Sequence, residues 1–226
     1  MEEIADGLWG THTRLSFYGV PMRARTTVAQ LSDGGLFVCS PGAIDDALAE
    51  SVSKLGEVRA LAAPNRFHHL YVTEWQERFP AAQVFVPASL PRKRPDLAGH
   101  ETHGEAAPAL YATDIEQLPM SGISAIDETW FFHRPSKTLI NNDLMHNMHA
   151  DSSWIARMMW RSMGAWQRFG PSRLESWLLS DREALKAAVL QALDWPFERV
   201  TVAHGEVLEA SDARTRVRES WAWLLR

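Results

Sequence analysis

The chain has 226 residues, enough for one large domain or two small ones and for a substantial buried core. Hydrophobic residues make up 46% and charged residues 23%, the balance of a soluble globular protein, and a net charge of −5 without a long basic run argues against nucleic acid as the partner. The single cysteine, Cys39, excludes an internal disulfide and a cysteine-rich zinc module. The acidic opening Met1-Glu2-Glu3-Ile4-Ala5-Asp6 lacks the apolar core of a signal peptide, and no run reaches the ~20 apolar residues of a spanning helix. The cytoplasm is therefore the expected compartment.

The first 40 residues read as β structure. Leu8–Thr13 and Thr26–Leu31 are rich in β-branched and aromatic residues, and Ser32-Asp33-Gly34-Gly35 is a hairpin-type turn into Leu36-Phe37-Val38-Cys39. Asp45 to Leu55 has helical spacing, Val58 to Ala63 reads as a strand, and Leu70 to Phe79 as a short helix stopped by Pro80. Val84-Phe85-Val86 is a buried strand, and its alternation with helices points to a βαβ arrangement. Residues 88 to 112, rich in Pro, Gly, Arg and His, form the longest irregular segment, which is where function or mobility concentrates.

Three short strands follow, at Ile115–Leu118, Thr129–His133 and Thr138–Ile140. A helical stretch of about 45 residues comes next, with apolar spacing from Ile155 to Phe169 and a break at Gly170-Pro171. The capping patterns Ser172-x-x-Glu175 and Ser180-x-x-Glu183 mark two further helix starts. After a strand at Val200–Ala203, Ser211 or Asp212 caps a last helix. No repeat or composition break divides the chain, so residues 1–226 read as one α/β domain with a helical insert at about 150–195.

Three of the strands end on metal-capable side chains. Val58–Ala63 runs into Pro64-Asn65-Arg66-Phe67-His68-His69, Lys137–Ile140 into Asn141-Asn142-Asp143, and Arg199–Val202 into Ala203-His204-Gly205. In layered α/β folds such strand ends converge on one rim, so residues remote in sequence meet there.

This order of elements resembles the metallo-β-lactamase superfamily, a four-layer αββα sandwich that binds one or two metals at its rim. The resemblance is carried by Leu31–Val38 with Ser40-Pro41, by Ala63–Tyr71 with Trp75, by Ser136–Ile140 with Asp143-Leu144, and by His204-Gly205. The superfamily's H-x-H-x-D-H signature is incomplete here. Pro64 and Arg66, or in a shifted register Asn65 and Phe67, stand where its first two histidines belong. Met120–Ser124 also lacks the histidine that precedes the bridging aspartate.

The resemblance therefore implies loss of the first metal site and survival of the second. His69, Asp143 and His204 would be its ligands, and His68 a fourth ligand or general base. It implies one divalent ion, zinc before iron or manganese, and hydrolysis of an ester, lactone or phosphoester through a metal-bound water. The other reading is a metal-free relative that kept the sandwich and serves as a binding or interaction protein.

Each residue also has a plainer role open to it. Adjacent histidines point in different directions in a regular element, so one of His68 and His69 is a ligand and the other packs or supports. Asp143 has a turn-capping alternative, and His204 a hydrogen-bonding one at a strand end. His100 and His103 in the irregular segment are candidate replacement ligands, and His146 and His149 extend the site only if they share a helix face. Seven of the ten tryptophans lie beyond residue 150. Around Met158-Met159-Trp160 and Trp166, core packing or a homodimer contact is preferred to lining an apolar pocket above the rim or lying on a membrane surface, although Arg157, Arg161 and Arg168 would suit an interfacial helix. The substrate is left as an unspecified small molecule.

Overall fold

In the computed structural model, which describes residues 1–150 and 153–226, two β-sheets lie face to face between two layers of helices. The first sheet holds Glu2–Ala5 (β1), Leu8–Phe17 (β2), Val20–Gln30 (β3), Leu36–Cys39 (β4), Val58–Ala62 (β5), Gln83–Val86 (β6) and Glu101–Thr102 (β7), in sequence order. Its helices are Asp46–Ser53 (α1) and Val72–Arg78 (α2). The chain then continues with Ile115–Pro119 (β8), Thr129–His133 (β9), Thr138–Ile140 (β10), His146–Asn147 (β11) and Phe169–Gly170 (β12), and later Arg199–Thr201 (β13) and Leu208–Glu209 (β14). The second sheet has the order β14-β13-β10-β9-β8, and β11 and β12 form a separate two-stranded ribbon. The remaining helices are Trp154–Ser162 (α3), Arg173–Trp177 (α4), Arg182–Ala192 (α5), Ala213–Ser220 (α6) and Ala222–Leu225 (α7).

Strand alternation sorts the core into layers, because successive side chains leave opposite faces of a sheet. Leu36, Val38 and Leu61 meet Val52 of α1 and Val72 and Trp75 of α2 on the outer face of the first sheet. Phe37, Cys39, Ala60 and Ala62 point the other way, into the middle layer, against Phe131 and Ile140 of the second sheet. Trp130, Phe132 and Leu139 leave that second sheet outward and pack under Leu185 and Val189 of α5 and Val217 and Trp221 of α6. Apolar residues on both faces of β4, β5, β9 and β10 thus force four layers, the αββα sandwich that the sequence resembles.

Two readings of local structure change. The expected helix from Ile155 to Phe169 ends at Ser162, because Gly164 turns the chain in the left-handed region (φ +70°) and Phe169-Gly170 pairs with His146-Asn147 as strands. Asp181, not Ser180, caps α5, accepting from the Ala184 N–H at 3.0 Å. Residues 151–152 of the expected insert lie outside the described residues.

His103 is not near the rim but inside the sandwich, donating from Nε2 to the Ala63 carbonyl at 2.9 Å, with Nδ1 buried and unpartnered. Burial lowers its pKa to about 4. A folded-state pKa below the unfolded value of about 6.5 gives stability that is complete above pH ~6.5 and lost as pH falls towards 4. Urea unfolding across that window is expected to show a loss of up to roughly 1.4 kcal/mol per pH unit from this residue, about 3 kcal/mol in all. The slope should be visibly shallower in His103→Gln, and equal slopes would assign the acid sensitivity elsewhere.

Candidate metal centre

The parallel pair β10–β13 sets two strand ends side by side, with Ile140 opposite Thr201. The chain runs on from each into the rim, where Asp143 and His204 come together. Their atoms Oδ1 and Nε2 lie 3.1 Å apart. The segment after β5 delivers His68, whose Nε2 is 3.0 Å from the same Asp143 Oδ1. One ligating atom from each of His68, Asp143 and His204 falls within 4.8 Å of the others.

The structure brings His68, not His69, to this point. Asn65 Oδ1 accepts from the backbone N–H groups of both Phe67 and His68 at 2.9 Å, winding the chain into a tight turn that aims His68 inward. His69 leaves on the other side, where its Nδ1 accepts from Arg94 at 3.0 Å. Burial and the neighbouring Lys93 and Arg94 cations lower its pKa to about 4. Of the expected set His69, Asp143 and His204, the structure gathers the last two with His68 rather than His69, because the turn fixes which imidazole faces the rim.

Each member of the trio is held by a further contact. His68 Nδ1 meets Ser40 Oγ at 2.7 Å, and Ser40 takes a left-handed backbone (φ +57°) to reach it, a conformation uncommon outside glycine. His204 Nδ1 donates to the Arg23 carbonyl at 2.7 Å, across from the first sheet. Arg25 reinforces that link by donating from Nε to the Val202 carbonyl (3.3 Å) and from Nη2 to the Gly205 carbonyl (3.0 Å). Asp143 Oδ2 accepts from Asn65 Nδ2 at 2.9 Å.

Beneath Asp143 lies Glu128, fully buried, which neither the composition nor the motif spacing singled out. Its Oε1 accepts from Asn142 N (3.0 Å) and Trp130 Nε1 (3.0 Å), and its Oε2 from Asp143 N (2.7 Å) and Asn65 Nδ2 (2.8 Å). Burial and the Asp143 carboxylate push the Glu128 pKa up to about 7, against the pull of these donors. Four N–H groups occupy its acceptor positions, so the charged form is the one this cradle fits. For Asp143, burial acts upward, but His68 and His204 outweigh it and hold its carboxyl well below the usual range. For His68, burial acts downward and Asp143 outweighs it, raising the imidazole.

Gly205 makes the bend after His204 (φ +121°), and a Cβ there would sit 2.3 Å from the Asn147 carbonyl oxygen. Gly205→Ala is expected to cost roughly 1–3 kcal/mol in backbone strain alone and to displace His204. Denaturant unfolding reads the first effect, and an unchanged midpoint would show that the bend tolerates a side chain.

The other histidines serve different ends. His146 Nε2 pairs with the buried Glu175 at 3.0 Å, and Glu175 also accepts from Ser172 Oγ at 2.6 Å. His149 pairs with the Asn147 side chain, His133 spans Ser136 Oγ and the Gln30 carbonyl, and His100 is not among the residues that converge on Asp143. A cavity of about 360 Å³ opens over the trio. His68, Asp143 and His204 form part of its floor, and its walls are mainly apolar, among them Leu15, Met22, Ile126, Met159, Trp160 and Met163.

Residues 5–168 match the family model described as a domain of unknown function, DUF4336. The chain belongs to that family. No curated protein matches the DUF4336 chain in sequence. Among solved structures it is similar to a metallo-beta-lactamase from Pontibacter korlensis, at 11% identity and a TM-score of 0.62, over 95% of this chain and 94% of that one. It is similar also to a metallo-beta-lactamase from Hirschia baltica (12%, TM-score 0.62, 99% and 96%). A third is the FIM-1 enzyme from Pseudomonas aeruginosa in its mono-zinc form (12%, TM-score 0.63, 99% and 92%). At these identities the likeness shows the fold, and this DUF4336 member is a divergent chain of metallo-β-lactamase fold.

Proposed function

We propose that this DUF4336 member is a metal-dependent hydrolase of an ester, lactone or phosphoester, with one divalent ion held by His68 Nε2, His204 Nε2 and Asp143 Oδ1. The observation that carries the reading is the convergence of one ligating atom from each of His68, Asp143 and His204 within 4.8 Å of the others. His204 Nδ1 faces a backbone carbonyl, which only accepts, so Nδ1 bears the proton. Nε2 of His204 then points at a carboxylate oxygen 3.1 Å away, a pairing that either a proton or a metal cation between the two satisfies.

The donor set and its spacing fit an ion. Two imidazoles and a carboxylate suit zinc, iron or manganese. Bonds of ~2.0–2.1 Å in a tetrahedral shell set ligand atoms ~3.3 Å apart, so separations of 3.0 and 3.1 Å need to open by only a few tenths of an ångström. Glu128 and Asn65 orient the carboxylate, and Ser40 and the Arg23 carbonyl orient the two rings, the outer support that such centres use. When bound, the ion would polarise a substrate carbonyl or phosphoryl oxygen and acidify water. The apolar walls exclude bulk water and favour a substrate with a hydrophobic portion. The mono-zinc form named for the FIM-1 structure is consistent with a single ion on this fold.

Elemental analysis of the purified protein, paired with ester, lactone and phosphodiester hydrolysis before and after chelation, tests the proposal. The expected result is close to one transition-metal ion per chain and activity that falls with the metal and returns on its readdition. Protein that neither retains nor takes up an ion would return the chain to the metal-free binding reading.

A further inference from the structure

One face of the molecule lies outside this chemistry. The outer side of α3 exposes Trp154 (63%), Ile155 and Met158 (58%), and α4 exposes Trp177 (72%). Large apolar side chains this open, on two helices joined where the Arg173 N–H donates to the Met163 carbonyl at 2.8 Å, mark an interaction surface. Within this stretch of chain the exposed charges are basic. From residue 154 to 177 the chain carries Arg157, Arg161, Arg168 and Arg173, and its one carboxylate, Glu175, is buried against His146. This cationic face belongs to a chain whose net charge is −5.

That combination selects the occupant. In a two-fold pair of identical chains the same patch meets itself, so these arginines would meet only the arginines and apolar side chains of that patch, which offers no carboxylate to pair them. A lipid surface satisfies both halves of the pattern, with guanidinium groups at the level of anionic headgroups and Trp, Ile and Met at the acyl boundary ~5–10 Å deeper. The cavity supplies a third observation. Phe67, Leu70 and Leu174 line it and are themselves exposed (44%, 55% and 37%), so its apolar mouth opens beside this face, with Met159 of α3 and Met163 just past its end forming the near wall.

We propose that the α3–α4 face docks on an anionic lipid bilayer, which brings the mouth of the cavity to the membrane surface. This departs from the expectation of core packing or a homodimer contact for these residues. It stands apart from the hydrolase reading, since it needs no metal and no turnover.

Co-sedimentation with vesicles tests it, using phosphatidylcholine alone and phosphatidylcholine with 30 mol% phosphatidylglycerol. The expected result is binding to the anionic vesicles, weaker binding to the neutral ones, and release as salt rises. The variant Trp154→Ser/Met158→Ser/Trp177→Ser should bind about tenfold more weakly or worse while keeping its circular dichroism and metal content, because these side chains are exposed. Arg161→Glu/Arg173→Glu should weaken anionic binding and leave neutral vesicles unaffected. Absence of binding to anionic vesicles, or equal binding by the triple variant, overturns the proposal. A dimer in sedimentation velocity that the triple variant abolishes also overturns it, assigning the face to a second copy of the chain.

Discussion

Glu128→Ala is expected to destabilise the protein by about 3–5 kcal/mol, the range for removing one partner from a buried charged network. The substitution leaves four donors, the Asn142 and Asp143 N–H groups, Trp130 Nε1 and Asn65 Nδ2, facing a space that water does not reach. Glutamine has nearly the same shape but cannot restore the cradle. One half of its amide would be an NH2 group set among N–H donors, so Glu128→Gln should recover only part of the loss. Urea unfolding monitored by tryptophan fluorescence measures both, and a cost below about 1 kcal/mol for the alanine variant would show that the network is not under the load described.

The second large effect concerns two adjacent residues. His68→Ala is expected to weaken metal binding by more than about 100-fold, beyond the 10–100-fold typical of residues that only support a ligand. His69→Ala should change it by no more than a few-fold, since that ring faces Arg94. Competition with a chromophoric chelator, using zinc and then iron or manganese, reads both variants on the same scale. Hydrolytic activity should follow the same order. Equal losses in the two variants would contradict the assignment of His68, and a larger loss in His69→Ala would reverse it.

Much of the sandwich was legible because its signals are local. Leu36–Cys39, Val58–Ala62 and Thr138–Ile140 are short apolar runs bounded by turn residues, and buried strands of this kind need little else to be recognised. Asp143 and His204 stood out for the same reason, each lying just past such a run. The choice between His68 and His69 was not available to that reasoning. It depends on Asn65 accepting from two backbone N–H groups, and so on a backbone shape that residue type alone does not specify.

Glu128 was invisible for a related reason. A lone acid between Asp127 and a strand looks like a solvated surface residue, and its importance comes from donors at positions 65, 130, 142 and 143 that only the fold assembles. The helix misassigned through Phe169 failed where tertiary pairing of Phe169-Gly170 with β11 overrode helical spacing.

The seam between Arg23 and Arg25 on one side and residues 202–205 on the other has a mechanical consequence. Through it, an imidazole at the end of the second sheet takes its position from a strand of the first. A tilt of the long hairpin formed by β2 and β3 would therefore be transmitted to Nε2 of His204, as a hand on a lever.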